Sequence, residues 1–181
     1  MKNVLDRAPI RTPEAVWNSY YGRICVYLRS FAALNYEDRE EIAADTLYKV
    51  WQNRAKVLDG QDCRAWVFTI ARRTAIDRLR KSSSHDVKKD GALSAELDMM
   101  PDLKNVKPEH QLIKNEELEF IQTFLKDLSD PDRELAYLFY YEELPIEELA
   151  RIFSLPKGTI KWRLHAIRKK LARRWQDEFG I

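Results

Sequence analysis

Residues 144–170, LPIEELARIFSLPKGTIKWRLHAIRKK, carry two helical stripes separated by a break that one helix cannot bridge. Ile146, Leu149, Ala150 and Phe153 recur at helical spacing and mark the first apolar face. Pro145 stands where a first helical turn tolerates proline. Ser154-Leu155-Pro156-Lys157-Gly158 then interrupts the pattern, because Pro156 cannot continue a helix and restricts Leu155 before it. A second helix is expected to start near Gly158 or Thr159, with Ile160, Leu164, Ile167 and Leu171 as its stripe. At roughly 100° per residue, Trp162, His165 and Lys169 centre on the opposite face, flanked by Lys161 and Arg168. Between Lys157 and Arg174 there are eight basic residues and no acidic one. A short helix, a tight turn and a basic outward-facing helix form a helix-turn-helix, the arrangement that reading a DNA major groove requires. A basic helix also suits a plain solvated bundle, since Lys and Arg favour the last turn of a helix, so the rest of the chain has to decide.

The net charge of the 181 residues is only +2, but the charge is segregated. Basic runs lie at 72–81 and 157–174, acidic runs at 37–41 and 142–148. Local nucleic-acid patches fit this better than general stickiness. Strand-like alternation is absent, and five Gly and seven Pro are few, so the expected fold class is all-α. Cys25 and Cys63 lie far apart without a CxxC, which suits reduced core thiols rather than zinc or a disulfide framework. With no long apolar span and no signal peptide, a cytoplasmic protein without membrane insertion is expected.

The chain divides into two small helical domains, residues 1–83 and 112–181, joined by a flexible linker at 84–111. After a loose leader, Thr12-Pro13-Glu14 opens a helix with an N-cap, a proline at the first position and an acid in the first turn. Trp17, Tyr20, Tyr21, Ile24, Leu28 and Phe31 follow at core spacing. A second helix over 36–53 has Ile42, Leu47, Val50 and Trp51 as its stripe, acids first and bases last as the helix dipole favours. Residues 55–63 form a short loop. A third helix over 64–81 can bury Trp66, Val67, Ile70, Ala71, Ile76 and Leu79, with Phe68 also read as core, and is strongly basic. From Ser82 the composition turns to serine, proline and mixed charge, which reads as linker. Residues 111–128 and 130–142 pair as helices leading into the helix-turn-helix, with Ser129-Asp130-Pro131-Asp132 capping the second.

Three segments, in this order, resemble extracytoplasmic-function (group IV) sigma factors of the sigma-70 family. EIAADTLYKVW (residues 41–51) is similar to the family's polymerase-clamp helix. AWVFTIARRTAIDRLRK (residues 65–81) is similar to the helix that serves the −10 element. IEELARIFSLPKGTIKWRLHAIRKKL (residues 146–171) is similar to the −35-reading helix-turn-helix. The resemblance implies a subunit that binds core RNA polymerase and directs initiation at specific promoters, without catalysis or a cofactor of its own.

It also implies residue roles. Asp38, Glu41, Asp45 and Lys49 would dock the clamp coiled coil of the β′ subunit, with the β flap as a further polymerase contact. Val57, Leu58 and Asp59 would lie in a loop that captures a flipped −10 base, and Arg73, Thr74, Asp77 and Arg80 would line that strand. Lys161, Trp162, His165 and Arg168 would face the −35 major groove, Arg163, Lys169 and Lys170 would touch phosphates, and Lys157 and Thr159 would also bind −35 DNA. Promoter DNA and an anti-sigma factor are the other implied partners. The chain departs from the family pattern at several positions: Arg73 replaces the common Asn, Ala44 a frequent Gln, Ala166 a frequent Arg, and Ser154 the usual Gly of the turn. The serine is tolerable if its backbone is not left-handed. Trp162 replaces a frequent Ser, and its indole has a thymine methyl or a sugar face as candidate contacts.

Two other classes compete. A stand-alone helix-turn-helix regulator of duplex operators would dimerise and would not need the 41–81 block. An enzyme would need a constellation that is missing: the three histidines are His85, His110 and His165, and no metal-ligand spacing, phosphate loop or nucleophile motif accompanies them.

Overall fold

Thr12 fixes where the first helix begins. Its side-chain oxygen accepts from the Ala15 amide at 3.1 Å, with Pro13 at the first helical position. The computed structural model describes residues 12–54, 63–85 and 115–180. The leader to residue 11, the loop with Val57, Leu58 and Asp59, and residues 86–114, which take in most of the linker, lie outside the described residues. The helices are α1 (Pro13–Leu28), α2 (Tyr36–Gln52), α3 (Arg64–His85), α4 (Asn115–Lys126), α5 (Asp130–Ala136), α6 (Ile146–Phe153) and α7 (Lys157–Phe179), with a π-helical turn, Tyr137–Tyr141, following α5. No strand occurs among the described residues. The fold is all-α, as expected.

Helices α1, α2 and α3 pack together as an N-terminal domain. The face of α1 that turns inward is Val16, Tyr20, Ile24, Tyr27 and Leu28. Trp17, expected in the core, is 45% exposed and stacks on Tyr21 at 4.4 Å. Val16 and Trp17 are neighbours on the helical wheel, and the smaller residue took the buried place. Asn35 caps α2 by accepting from the Asp38 amide at 2.7 Å. Helix α3 outruns its expected end and continues to His85, because serine is a weak helix former but no breaker. There the Ser82 hydroxyl donates to the Leu79 carbonyl at 3.2 Å.

In the C-terminal domain Ser129 flanks α5 without a side-chain cap. Asp130 instead reaches the N-terminal domain, where its carboxylate accepts from the Ala32 amide at 3.0 Å. Ile160, Leu164 and Ile167 bury the inner face of α7, and Leu149, Ile152 and Phe153 that of α6. Phe120, Trp175 and Phe179 form an edge-on aromatic cluster that fastens α4 to the end of α7.

The turn between α6 and α7 corrects one expectation. Ser154 has φ 54° and ψ 43°, which is left-handed. The chain closes α6 with a Schellman motif: the Leu155 amide donates to the Ala150 carbonyl at 3.0 Å and the Ser154 amide to the Arg151 carbonyl at 3.3 Å. The turn needs that conformation to satisfy the last carbonyls of α6, and the serine bears the strain. Left-handed backbone costs a non-glycine residue about 1–2 kcal/mol, part of which glycine loses to unfolded-state entropy. Ser154→Gly is therefore expected to stabilise the protein by about 0.5–1 kcal/mol, roughly 1–4 °C in Tm. A thermal melt that falls would refute this account of the turn.

The two domains share one continuous core. At their seam Tyr137 lies 5.9 Å from the ring of Tyr27 and 6.3 Å from that of Phe68. Glu142, with a fully buried side chain, accepts from Arg23 Nε at 3.2 Å, from Arg23 Nη2, and from the Tyr137 hydroxyl at 3.1 Å. Arg64 donates to the Glu142 carbonyl at 2.8 Å. Glu134, also buried, accepts from the Tyr27 hydroxyl at 2.9 Å and from Arg72 Nε at 3.0 Å. Burial pushes the Glu134 carboxyl above its ordinary pKa, with Arg72 and the Tyr27 hydrogen bond pulling the other way. Burial beside these carboxylates also raises the Tyr27 and Tyr137 phenols well above their usual range. A cavity of about 260 Å³ opens at the seam among Val26, Phe124, Leu125, Tyr137, Tyr141 and Ile167.

Candidate nucleic-acid and polymerase interfaces

Helix α7 presents its polar face outward because its apolar face is consumed by the core. Lys157, Lys161, Trp162, His165, Arg168 and Lys169 are all exposed, and Thr159 is half-buried. Trp162 is 69% exposed. Among the described residues, three of the eight cations from Lys157 to Arg174 form ion pairs, and the third, Arg174, reaches Asp127. Lys157 pairs with Glu147 at 2.9 Å, and this hydrogen bond holds the Glu147 carboxyl below its ordinary pKa. Arg163 turns inward and pairs with Asp132 at 2.8 Å, tying α7 to α5. Arg168 Nε donates to the Leu164 carbonyl at 3.3 Å.

Helix α3 carries a second basic face. Arg73, Asp77 and Arg80 are exposed and share one stripe at helical spacing. Thr74 does not join them. It is buried, and its hydroxyl accepts from Lys49 Nζ at 3.0 Å. Arg72, on the other side of α3, belongs to the seam, with its guanidinium 4.8 Å from the Phe153 ring centroid.

On α2, Asp38, Glu41, Asp45 and Lys49 line up at helical spacing along the groove between α2 and α3. Arg78 of α3 bridges Asp38, at 2.9 Å, and Glu41. Asp45 is exposed and has no ion pair among the described residues. Arg78 thus partly neutralises the acidic stripe of α2. The buried clasp of Arg23, Arg72, Glu134 and Glu142 was not anticipated from the sequence. Its members are separated by 62 residues for Arg72 and Glu134 and by 119 for Arg23 and Glu142, and no local pattern marks them.

A model of Sigma-70 region 2 matches residues 16–85, and a model of Sigma-70, region 4, matches residues 124–173. Together they take in well over half of the chain. The protein is a sigma-70 family RNA polymerase sigma factor. Region 2 corresponds to α1–α3, and region 4 runs from the end of α4 through most of α7.

Among its relatives, this sigma factor is 28% identical over 151 residues to the ECF RNA polymerase sigma factor SigW of Bacillus subtilis strain 168, covering 79% of this chain and 78% of SigW. It is 26% identical to the RNA polymerase sigma factor YlaC of the same strain, covering 87% and 88%. A solved structure of the sigma factor RpoE from Bartonella quintana, in complex with the anti-sigma factor NepR, shares the fold with a TM-score of 0.66 at 23% identity, covering 93% of this chain and 96% of that one. A structure of CnrH in complex with the cytosolic domain of CnrY gives a TM-score of 0.56 at 18% identity, covering 96% and 99%. No helix of this sigma factor is long and apolar enough to cross a membrane among the described residues, and no group of three or more His, Cys, Asp or Glu there could hold a metal ion.

Proposed function

We propose that this protein is an extracytoplasmic-function (group IV) sigma factor that works in the bacterial cytoplasm, with region 2 reading and opening the −10 element and region 4 reading the −35 element. The observation that carries the reading is the ordered pair of matched regions, each with an exposed basic helical stripe. In region 4, Lys161, Trp162, His165 and Arg168 face the −35 major groove, Lys157, Thr159 and Lys169 border it, and Arg163 sets the pose of α7 through Asp132. Phosphate contacts made by the basic rim fix register, and base-edge contacts at the centre provide sequence preference. In region 2, Arg73, Asp77 and Arg80 follow the displaced −10 strand, joined by the loop of Val57, Leu58 and Asp59. Thr74 supports this face from beneath by holding Lys49. Asp45, exposed and without an ion pair among the described residues, leads the contact with the β′ clamp coiled coil, and Asp38, Glu41 and Lys49 complete that stripe. Region 4 meets the β flap. An anti-sigma factor is the proposed regulator, a partner class present in the structure of RpoE with NepR.

The reading makes a geometric demand. Elements centred about 25 base pairs apart lie about 85 Å apart along B-DNA. A globule of this length has a radius of gyration of only about 16 Å. The domains, clasped here through α3, α5 and α6, must therefore separate to engage both elements of one promoter, and the linker supplies the reach, at up to about 3.5 Å per residue.

Run-off transcription with bacterial core polymerase on a promoter library tests the proposal. Initiation that depends on this protein, at templates sharing two upstream elements, is the expected result. No initiation, together with dimeric binding to a duplex operator, would replace it with a polymerase-independent regulator.

A further inference from the structure

We infer that Trp162 makes this sigma factor's −35 preference depend on a thymine, by packing its indole against the C5-methyl group of one base in the major groove. The inference rests on the −35 reading of α7 proposed above. Trp162 is the sixth residue of α7, within the N-terminal turns from which a recognition helix reaches base edges. At about 100° per residue it lies within about 15° of diametrically opposite the buried Ile160–Leu164–Ile167 stripe. Its neighbours at i−4 and i+4 are Gly158 and Ala166, with Thr159 and His165 at i−3 and i+3. A Cβ added at Gly158 would meet nothing within 4 Å, so the surface beside that position is open. The row reads small, large, small, and lets the helix backbone come close to DNA on both sides of one projecting ring.

The chemistry of the ring selects its target. An indole has a large apolar face and one N–H donor, with no acceptor. Around it Lys161, His165 and Lys169 are exposed and provide the polar contacts of the face. Burying an exposed aromatic against base-edge acceptors would strip them of water and return at most one hydrogen bond. The major groove offers only one apolar feature, the thymine methyl. A ring at the centre of the face, rather than at its basic rim, lies over base edges rather than over sugars. The exposure of Trp162, at 69%, also means that the indole contributes little to the domain's own core.

The experiment uses the full chain with core polymerase. The −35 preference is first defined from a randomised promoter pool. Each thymine of the selected element, on both strands, is then replaced singly by deoxyuridine, which removes the methyl group alone. Burial of one methyl-sized group is worth about 0.8 kcal/mol, so one replacement is expected to weaken binding about fourfold while the others do little. Trp162→Ala is expected to bind thymine and uracil at that position equally, and Trp162→Phe to retain part of the difference. No uracil-sensitive position, with −35 dependence intact, overturns the thymine contact and leaves the −35 reading standing. Sensitivity that survives in Trp162→Ala assigns the methyl to another residue and also overturns it. Loss of all −35 dependence in the wild-type holoenzyme overturns the −35 reading and this inference with it.

Discussion

Glu142→Ala should open the protein. The substitution removes the carboxylate that accepts from Arg23 Nε and Nη2, and one of the two acceptors of the Tyr137 hydroxyl, in a place where the glutamate side chain is fully buried and the arginine only 25% exposed. Breaking a buried pair by deleting one partner costs about 3–5 kcal/mol, because the remaining charge loses its buried counter-charge. Arg23 is partly hydrated, so the lower end of that range applies. Separation of the domains limits the loss, since Arg23 then regains water. The expected readout is a radius of gyration that rises well above the roughly 16 Å of a compact chain this long. The melt of the closed form should fall by roughly 6–12 °C. Arg23→Leu combined with Glu142→Leu should recover much of the closed population, because replacing a buried pair with apolar residues is often neutral. An unchanged scattering profile and melt for Glu142→Ala would remove the clasp from any account of domain packing.

Leu164→Ala should damage region 4 more than any surface change on α7. Leu164 is fully buried, between Arg163, which ties α7 to α5, and His165, which faces outward. Truncating a buried leucine costs about 2–5 kcal/mol as lost transfer energy plus the cavity left behind. A central value of about 3 kcal/mol corresponds to roughly 6–12 °C in Tm. Leu164→Met conserves volume and should lose less than about 1.5 kcal/mol. Urea titrations of both variants check the assignment. A loss below about 1 kcal/mol for the alanine variant would mean that the site collapses around the missing atoms.

Features that rest on neighbours within one or two turns were legible in the sequence. Thr12 and Pro13 fixed the start of α1, and the stripes of α2 and α7 named the residues that point inward. Pro156 placed the break between α6 and α7, although α7 begins at Lys157, before the glycine. Features set by partners distant in sequence were not legible. Nothing around Glu142, within an acidic run, separates it from Glu143, yet one is buried on Arg23 and the other exposed with a left-handed backbone. Thr74 sits one residue from the exposed Arg73 and turns toward Lys49 because α2 lies on that side. Arg78 reads as one more cation of a basic helix until the fold brings Asp38 and Glu41 beside it. The π-helical turn at Tyr137–Tyr141 gave no sequence signal, and it leads directly into the buried Glu142.

The clasp has a consequence for affinity that no surface residue records. If only the extended form can grip polymerase and both promoter elements together, the apparent dissociation constant equals the intrinsic one divided by the fraction of molecules already open. A seam that favours closure by about 2.8 kcal/mol then weakens apparent binding about a hundredfold. Substitutions at Arg23, Arg72, Glu134 or Glu142 would tune that factor in either direction without altering one contact made to polymerase or DNA.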